Sequence, residues 1–360
     1  MSTISQMPYQ LERVGVVMEL DPNDPNEVWG VLNPASARQG QNLYLYPRVV
    51  AEGNYSRIGI AQVRFGNDGS PVAVTRLGYA LEPEEEYERS ERSSGGVEDP
   101  RITYVEPLRT WVMAYTAVSR LGPRIALATS TDLFHWNRLG LLRYHGASAM
   151  FDHFGNKDGA LFPEVVLDPH GKPALAILHR PTYLVHRPDG TILLEVPYDV
   201  QEERESIWIG YISLERAQAD IMHLTSIYQT ELLATPMYPW ESLKIGGGTP
   251  PIRTEAGWLI FYHGVSGSAS LDPAIPKQVC YSAGAMLLDF ERPTTILYRS
   301  RQPVLRPEES DERFGIVPNV VFPTGVDRPQ PGILDVYYGM ADSRIGVART
   351  RPLESVPTAD

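Results

Sequence analysis

One strand pattern occurs five times along the chain, at 43–50 (LYLYPRVV), 111–118 (WVMAYTAV), 174–181 (ALAILHRP), 258–265 (WLIFYHGV) and 334–342 (LDVYYGMAD). Aligning Tyr46, Tyr115, Leu178, Tyr262 and Tyr338 gives steps of 69, 63, 84 and 76 residues, against 72 for an even fivefold division of 360 residues. A second apolar strand rich in small residues follows each copy, at 56–63, 124–130, 206–212, 281–287 and 343–350. Repeated units that bury an apolar face only against their neighbours form arrays or closed rings. The pattern predicts an all-β fold, a five-bladed β-propeller. It forms a single domain over 1–360, with blades of about 72 residues and closure between the N- and C-terminal strands. A two-layer sandwich needs neither the recurrence nor so long a chain. Each copy ends in polar residues, and fivefold symmetry brings those ends towards one central site.

Turn chemistry agrees with short strands, because 30 Gly and 31 Pro punctuate the chain. The best helical segment is 214–222, short and polar. A formal net charge of −12 argues against a nucleic-acid surface. The acidic run at 82–91 reads as a solvated loop. Cys280 is the sole cysteine, so no intrachain disulfide forms, and its apolar strand predicts a buried small residue. The first ten residues lack a signal-peptide core, and no 18-residue apolar run occurs. The expectation is a soluble cytoplasmic protein with no membrane partner.

The strongest chemical signal is Gly95-Gly96-Val97-Glu98-Asp99-Pro100-Arg101. Two glycines allow a sharp turn, and Pro100 predicts an extended Asp99. A carboxyl at a strand entry with an arginine nearby suits proton transfer, and a salt bridge between blades is the other reading. Lys157, His179, Arg180, Arg124 and His263 all stand at starts or ends of repeat strands. Cations converging in an acidic protein need an anion beside them. Carboxylates of the chain or a bound oxyanion such as phosphate fill that need. Gly246-Gly247-Gly248 reads either as close backbone approach to a ligand or as a tight turn; no P-loop lysine follows it. His135 and Trp136 read as packing, and His145, His153, His170, His186 and His223 lack ligand spacing. No metal site and no organic cofactor are expected.

Taken together, GGVEDPRI, RIALATSTDLFHW, NKDGALFP, LHRP, GGGTPPI, FYHG, YSAGAMLLDFERP, VPNVVFPTG and YYGMADSRIGVA resemble, in order, the motif series of glycoside hydrolase family 130. The similarity runs from Asn33 to Ala348. That family comprises β-mannoside phosphorylases and β-mannosidases on a five-bladed propeller. The resemblance implies an inverting reaction in which inorganic phosphate, the co-substrate, attacks a β-linked mannoside to give α-mannose 1-phosphate. It implies Asp99 as general acid, its proton passing through a sugar hydroxyl, in apolar surroundings that raise its pKa. Arg124, Lys157, His179, Arg180 and His263 would hold phosphate, and Asn33, Arg48, Ser56, Arg57 and Asp342 the mannosyl unit.

Two departures, the YPR at 46–48 and the unmatched stretch 141–154, bear on linkage and acceptor. An inverting β-mannosidase is the second reading, with Glu98, Glu164 or Glu205 as base. A non-catalytic propeller that binds glycan or protein is the third. The long loops 141–154 and 188–204 leave a homo-oligomer open.

Overall fold

The computed structural model describes residues 9–90, 95–187, 189–196, 200–268 and 278–352, and strands dominate it. Four-stranded antiparallel groups follow one another along the chain. The first is Gly30–Gln39, Asn42–Ala51, Tyr55–Phe65 and Pro71–Leu81; the second is Gly95–Val105, Thr110–Ser119, Gly122–Ser130 and Asn137–Leu141. The third is Asn156–Leu161, Pro173–Pro181, Ile207–Ser213 and Ser226–Ala234. The fourth is Lys244–Gly247, Trp258–Ser268, Gln278–Leu288 and Ile296–Arg299. The fifth is Val321–Gln330, Ile333–Met340 and Arg344–Pro352, completed by the N-terminal strand Tyr9–Met18. All five recurring segments are the second strands of their groups, and each pairs antiparallel with the segment that follows it.

Alternation along these strands builds the cores. In Thr110–Ser119, Met113, Tyr115 and Ala117 face Tyr46 and Ile58 of the first group. Val112 and Ala114 face Leu175 and Ile177 of the third. Similar cores join the third group to the fourth and the fourth to the fifth, and Val31 and Leu45 of the first pack with Tyr337 and Val347 of the fifth. The first strands also touch one another: Thr103 donates to the Leu161 carbonyl, and Thr324 donates to that of Pro34.

A buried Glu-Tyr-Arg clasp recurs in three groups. Glu88, Glu241 and Glu312 are fully buried in the turns that lead to first strands. Each accepts a hydroxyl from the second strand: Tyr115 at 2.6 Å, Tyr262 at 2.6 Å and Tyr338 at 3.0 Å. Each also accepts an arginine from the fourth strand: Arg138 at 2.9 Å, Arg299 at 2.8 Å and Arg13 at 2.8 Å. The second oxygen takes two backbone N–H groups of the turn. Because Arg13 lies on the N-terminal strand, that strand fills the place held by the fourth strand elsewhere. The tyrosines that mark the repeat in these three groups therefore hold turns. Tyr46 donates instead to the Leu133 carbonyl.

The helix at 214–219 is shorter than expected, because Asp220 caps a following 3-10 turn. Cys280 is half-buried, not buried, because only its strand's far end enters a core. Among the described residues no helix is long and apolar enough to cross a membrane. The stretch 141–154 folds onto its own chain, with Tyr144, Phe151 and Phe154 in the core, which accounts for its length without a partner. Of the other long loop, residues 188 and 197–199 lie outside the described residues, as does Glu91 of the acidic run.

Candidate active site

Three first strands break register at equivalent points, between Leu32 and Ala35, Glu98 and Arg101, and Lys157 and Ala160. The residue inside each break has a left-handed backbone: Asn33 at φ +44°, Asp99 at +46° and Asp158 at +60°. Asn and Asp tolerate this conformation better than other side chains, and a bulge re-aims the side chain it carries. The extended Asp99 expected from Pro100 is thus corrected, because the bulge overrides the local preference. Asn33, Asp99 and Asp158 are one position seen in three successive groups.

These bulges open on a cavity of about 760 Å³ whose lining includes Asn33, Arg48, Glu98, Asp99, Lys157, Asp158, Arg180, Glu205, Lys244, Tyr281 and Asp342. One end holds Asp99, which is 7 % exposed. Its Oδ1 accepts from Asn33 Nδ2 at 2.9 Å, and Arg48 Nη1 lies 3.5 Å away. Arg48 donates to Glu98 at 2.9 Å, to Asn54 at 3.0 Å and, through Nε, to Ser56 Oγ at 2.9 Å. Lys157 Nζ reaches the other Glu98 oxygen at 3.2 Å. Burial disfavours the Asp99 carboxylate, but Arg48, Lys157 and Arg101 outweigh it and hold the group below its usual range. The apolar, pKa-raising surroundings expected of Asp99 are therefore not what these cations provide. Asp342 behaves oppositely: burial pushes its carboxyl up to about 6, with Arg48 opposing and Asp99 and Glu98 adding to the rise.

The other end is built around Asp158. Its Oδ2 accepts from Arg180 Nε at 2.5 Å, and Arg101 Nη2 lies 3.5 Å from Oδ1. Burial opposes this charge as well, yet Arg180, His263 and Arg101 hold the carboxyl well below its usual range. Arg180 also pairs with Glu205, which lies 3.6 Å from Lys244 Nζ. Burial lowers the Lys244 pKa, with Tyr281 working against the fall. The triple glycine is explained here: a Cβ on Gly246 would lie 2.3 Å from Asp158 Oδ2 and 2.4 Å from the His263 ring. Close approach to a buried ion cluster, not turn geometry, requires glycine at 246.

The sequence-derived cations therefore divide. Lys157 and Arg180 line the cavity, each with a carboxylate partner, so the chain's own acids balance much of their charge. His263 sits behind it, buried, stacked on Tyr281 and tilted against Phe322, with Nδ1 3.1 Å from the Gly247 carbonyl. Burial lowers its pKa to about 3, partly offset by Asp158. His179 points into the core between Tyr144 and Phe151, its pKa lowered to about 3 by burial alone. Arg124 donates to the carbonyls of Pro123 and His153 and is not part of the cavity wall. Ser56 braces Arg48 from behind, and Arg57 pairs with Glu82 while its guanidinium lies over Tyr55. Asp158, Lys244 and Tyr281 were missed, although Lys244 stands two residues before the glycine run. Among the described residues no cluster of three or more His, Cys, Asp or Glu could hold a metal.

The profile of glycoside hydrolase family 130, described as beta-1,4-mannooligosaccharide phosphorylase, matches residues 6–356. The chain is 31 % identical over 348 residues to a 1,2-beta-oligomannan phosphorylase of Thermoanaerobacter sp. strain X514, covering 94 % of this chain and 96 % of the relative. It is 30 % identical over 272 residues to a beta-1,4-mannooligosaccharide phosphorylase of Ruminococcus albus, covering 73 % and 67 %. Among solved structures, a beta-1,2-mannobiose phosphorylase from Listeria innocua in complex with beta-1,2-mannobiose shares the fold, with TM-score 0.68 and 24 % identity over 96 % of this chain and 97 % of that one. The profile match over nearly the whole length, with a relative 31 % identical along 94 % of the chain, makes this chain a member of glycoside hydrolase family 130.

Proposed function

We propose that the protein is an inverting β-mannoside phosphorylase, cleaving β-1,2- or β-1,4-linked manno-oligosaccharides with inorganic phosphate to give α-mannose 1-phosphate. The observation that carries this reading is one cavity with a hydrogen-bonding end at Asn33, Arg48, Asp99 and Asp342, a cationic end at Arg180 and Lys244, and a further cation, Lys157, on Glu98 beside Asp99. The relatives named above, with their phosphorylase activities, support it. The stacked blades and the N-terminal strand that completes the last group support a single five-bladed ring over the whole chain. The lone cysteine fits a cytoplasmic setting.

The mannosyl ring occupies the carboxylate end, where Asn33, Arg48 and Asp342 offer donors and acceptors for hydroxyls. Phosphate takes Arg180, Lys157 and Lys244, and its dianion competes with Glu98 and Glu205 for them. A phosphate oxygen bonds to the anomeric carbon as the glycosidic C–O bond breaks. The electron pair leaves on the acceptor oxygen, which gains a proton originating at Asp99. In the free protein the cations keep Asp99 ionised, and a phosphate dianion weakens that field, so phosphate itself raises the acid's pKa towards its working value. No metal or organic cofactor enters these steps.

For a hydrolase, a carboxylate must be free to activate water. Glu164 pairs with Arg253 outside the cavity lining, and Glu98 and Glu205 are tied to two cations each. This favours phosphate over water as nucleophile. The test is sugar release from β-1,2-mannobiose with and without phosphate. Undiminished release in phosphate-free buffer defeats the proposal.

A further inference from the structure

The cavity mouth carries an aromatic side chain that none of the steps above uses. Trp29 lines the same cavity as Asn33 and Asp342 yet remains 37 % exposed. Its place is fixed by backbone contacts. The Trp29 N–H donates to the Val50 carbonyl at 3.0 Å. Gly30 follows at φ +144°, where a Cβ would stand 2.9 Å from the Asp342 carbonyl oxygen. The chain at 29–30 therefore runs hard against the Asp342 turn, and glycine is needed for that approach. Ile316 and Val317, in the segment that leads into the fifth group, extend the apolar rim, and Ile316 is 56 % exposed. An indole left in water at the edge of a polar cavity forgoes a large burial gain unless a ligand covers it.

The cations Arg180 and Lys244 belong to the third and fourth groups, whereas Trp29 precedes the first. An inverting displacement puts nucleophile and leaving group on opposite sides of the anomeric carbon. With phosphate on the cationic side, the departing sugar lies on the Trp29 side. A pyranose presents one face of C–H groups, which suits an indole surface. We propose that Trp29 is the platform on which the acceptor-side mannose stacks, and that it sets preference for the leaving sugar. This rests on the phosphorylase reading above.

The experiment compares wild type, Trp29→Ala and Trp29→Tyr in phosphorolysis of β-1,2-mannobiose and in the reverse reaction. Trp29→Ala is expected to raise the mannobiose KM about five- to ten-fold, the range of an aromatic contact. The KM values for phosphate and α-mannose 1-phosphate stay as in wild type, and Trp29→Tyr recovers most of the loss. In the reverse reaction the KM for mannose rises in parallel. Indole emission of wild type shifts on mannobiose addition but not on phosphate addition, and this readout serves if Trp29→Ala fails to fold. An unchanged mannobiose KM, or equal rises for sugar and phosphate, overturns the inference. Wild type without phosphate-dependent turnover instead overturns the phosphorylase reading, so the two failures are distinct.

Discussion

Neutralising Glu205 separates phosphate from water as nucleophile most sharply. Its carboxylate contacts Arg180 and lies 3.6 Å from Lys244, and its side chain is 22 % exposed. If those cations hold phosphate, Glu205 is a rival anion a few ångströms from the dianion. Two charges about 6 Å apart at an effective dielectric of about 40 interact by roughly 1.4 kcal/mol. Partial exposure and salt screening reduce that figure, while the second phosphate charge increases it, leaving about 1–2 kcal/mol. Glu205→Gln keeps the shape and removes the charge. The phosphate KM should fall by about five- to thirty-fold, with kcat within about threefold of wild type, a change of under 1 kcal/mol in the barrier. Were Glu205 the base of a hydrolase, the same change would lower kcat by about 10²–10⁴. Initial rates with phosphate varied at saturating mannobiose read both quantities. A higher phosphate KM or a hundredfold loss of kcat refutes the reasoning.

Other consequences are equally open to measurement. Asp99→Asn should lower kcat by about 10²–10⁴, the contribution of a positioned acid, without a large change in chemical stability measured in urea. Gly339→Ala drives a Cβ to 2.0 Å from Asn33 Oδ1; it should destabilise the fold by about 1–3 kcal/mol in urea titrations and raise the mannobiose KM by displacing the partner of Asp99. Asp342 has a folded-state pKa of about 6, above the usual value of about 3.9 for an unfolded chain. Between those values the native state binds more protons, so stability falls as pH rises through that window. Asp342→Asn should therefore be more stable than wild type at pH 8, by a margin that shrinks towards pH 4, and lose activity throughout.

Strand recurrence was readable because alternation with a repeated tyrosine survives in four of five copies. Leu178 breaks the tyrosine series in the third group, where no buried Glu-Tyr-Arg clasp occurs among the described residues. Alternation could also have sorted the cations. His179 and Arg180 are adjacent on one strand and must face opposite ways, and His179 continues the face of Leu175 and Ile177 into the core. The same argument separates Ser56 from Arg57. What alternation could not reveal is the shared role of Asn33, Asp99 and Asp158. Their bulges interrupt the period, and the residues that follow (Pro34, Pro100, Gly159) give no common signature. The ion partners were hidden for another reason. Glu205 and Lys244 come from segments far apart in sequence, and only the assembled cavity puts them beside Arg180.

The account stands on inorganic phosphate displacing a sugar at a site shared by Asp99 and the cations around Arg180. The most direct measurement follows β-1,2-mannobiose and phosphate with the wild-type protein by phosphorus and proton NMR. The predicted result is α-configured mannose 1-phosphate appearing one for one with free mannose, and no reaction when phosphate is left out. Free mannose accumulating without a sugar phosphate signal, or a β-configured product, would contradict it.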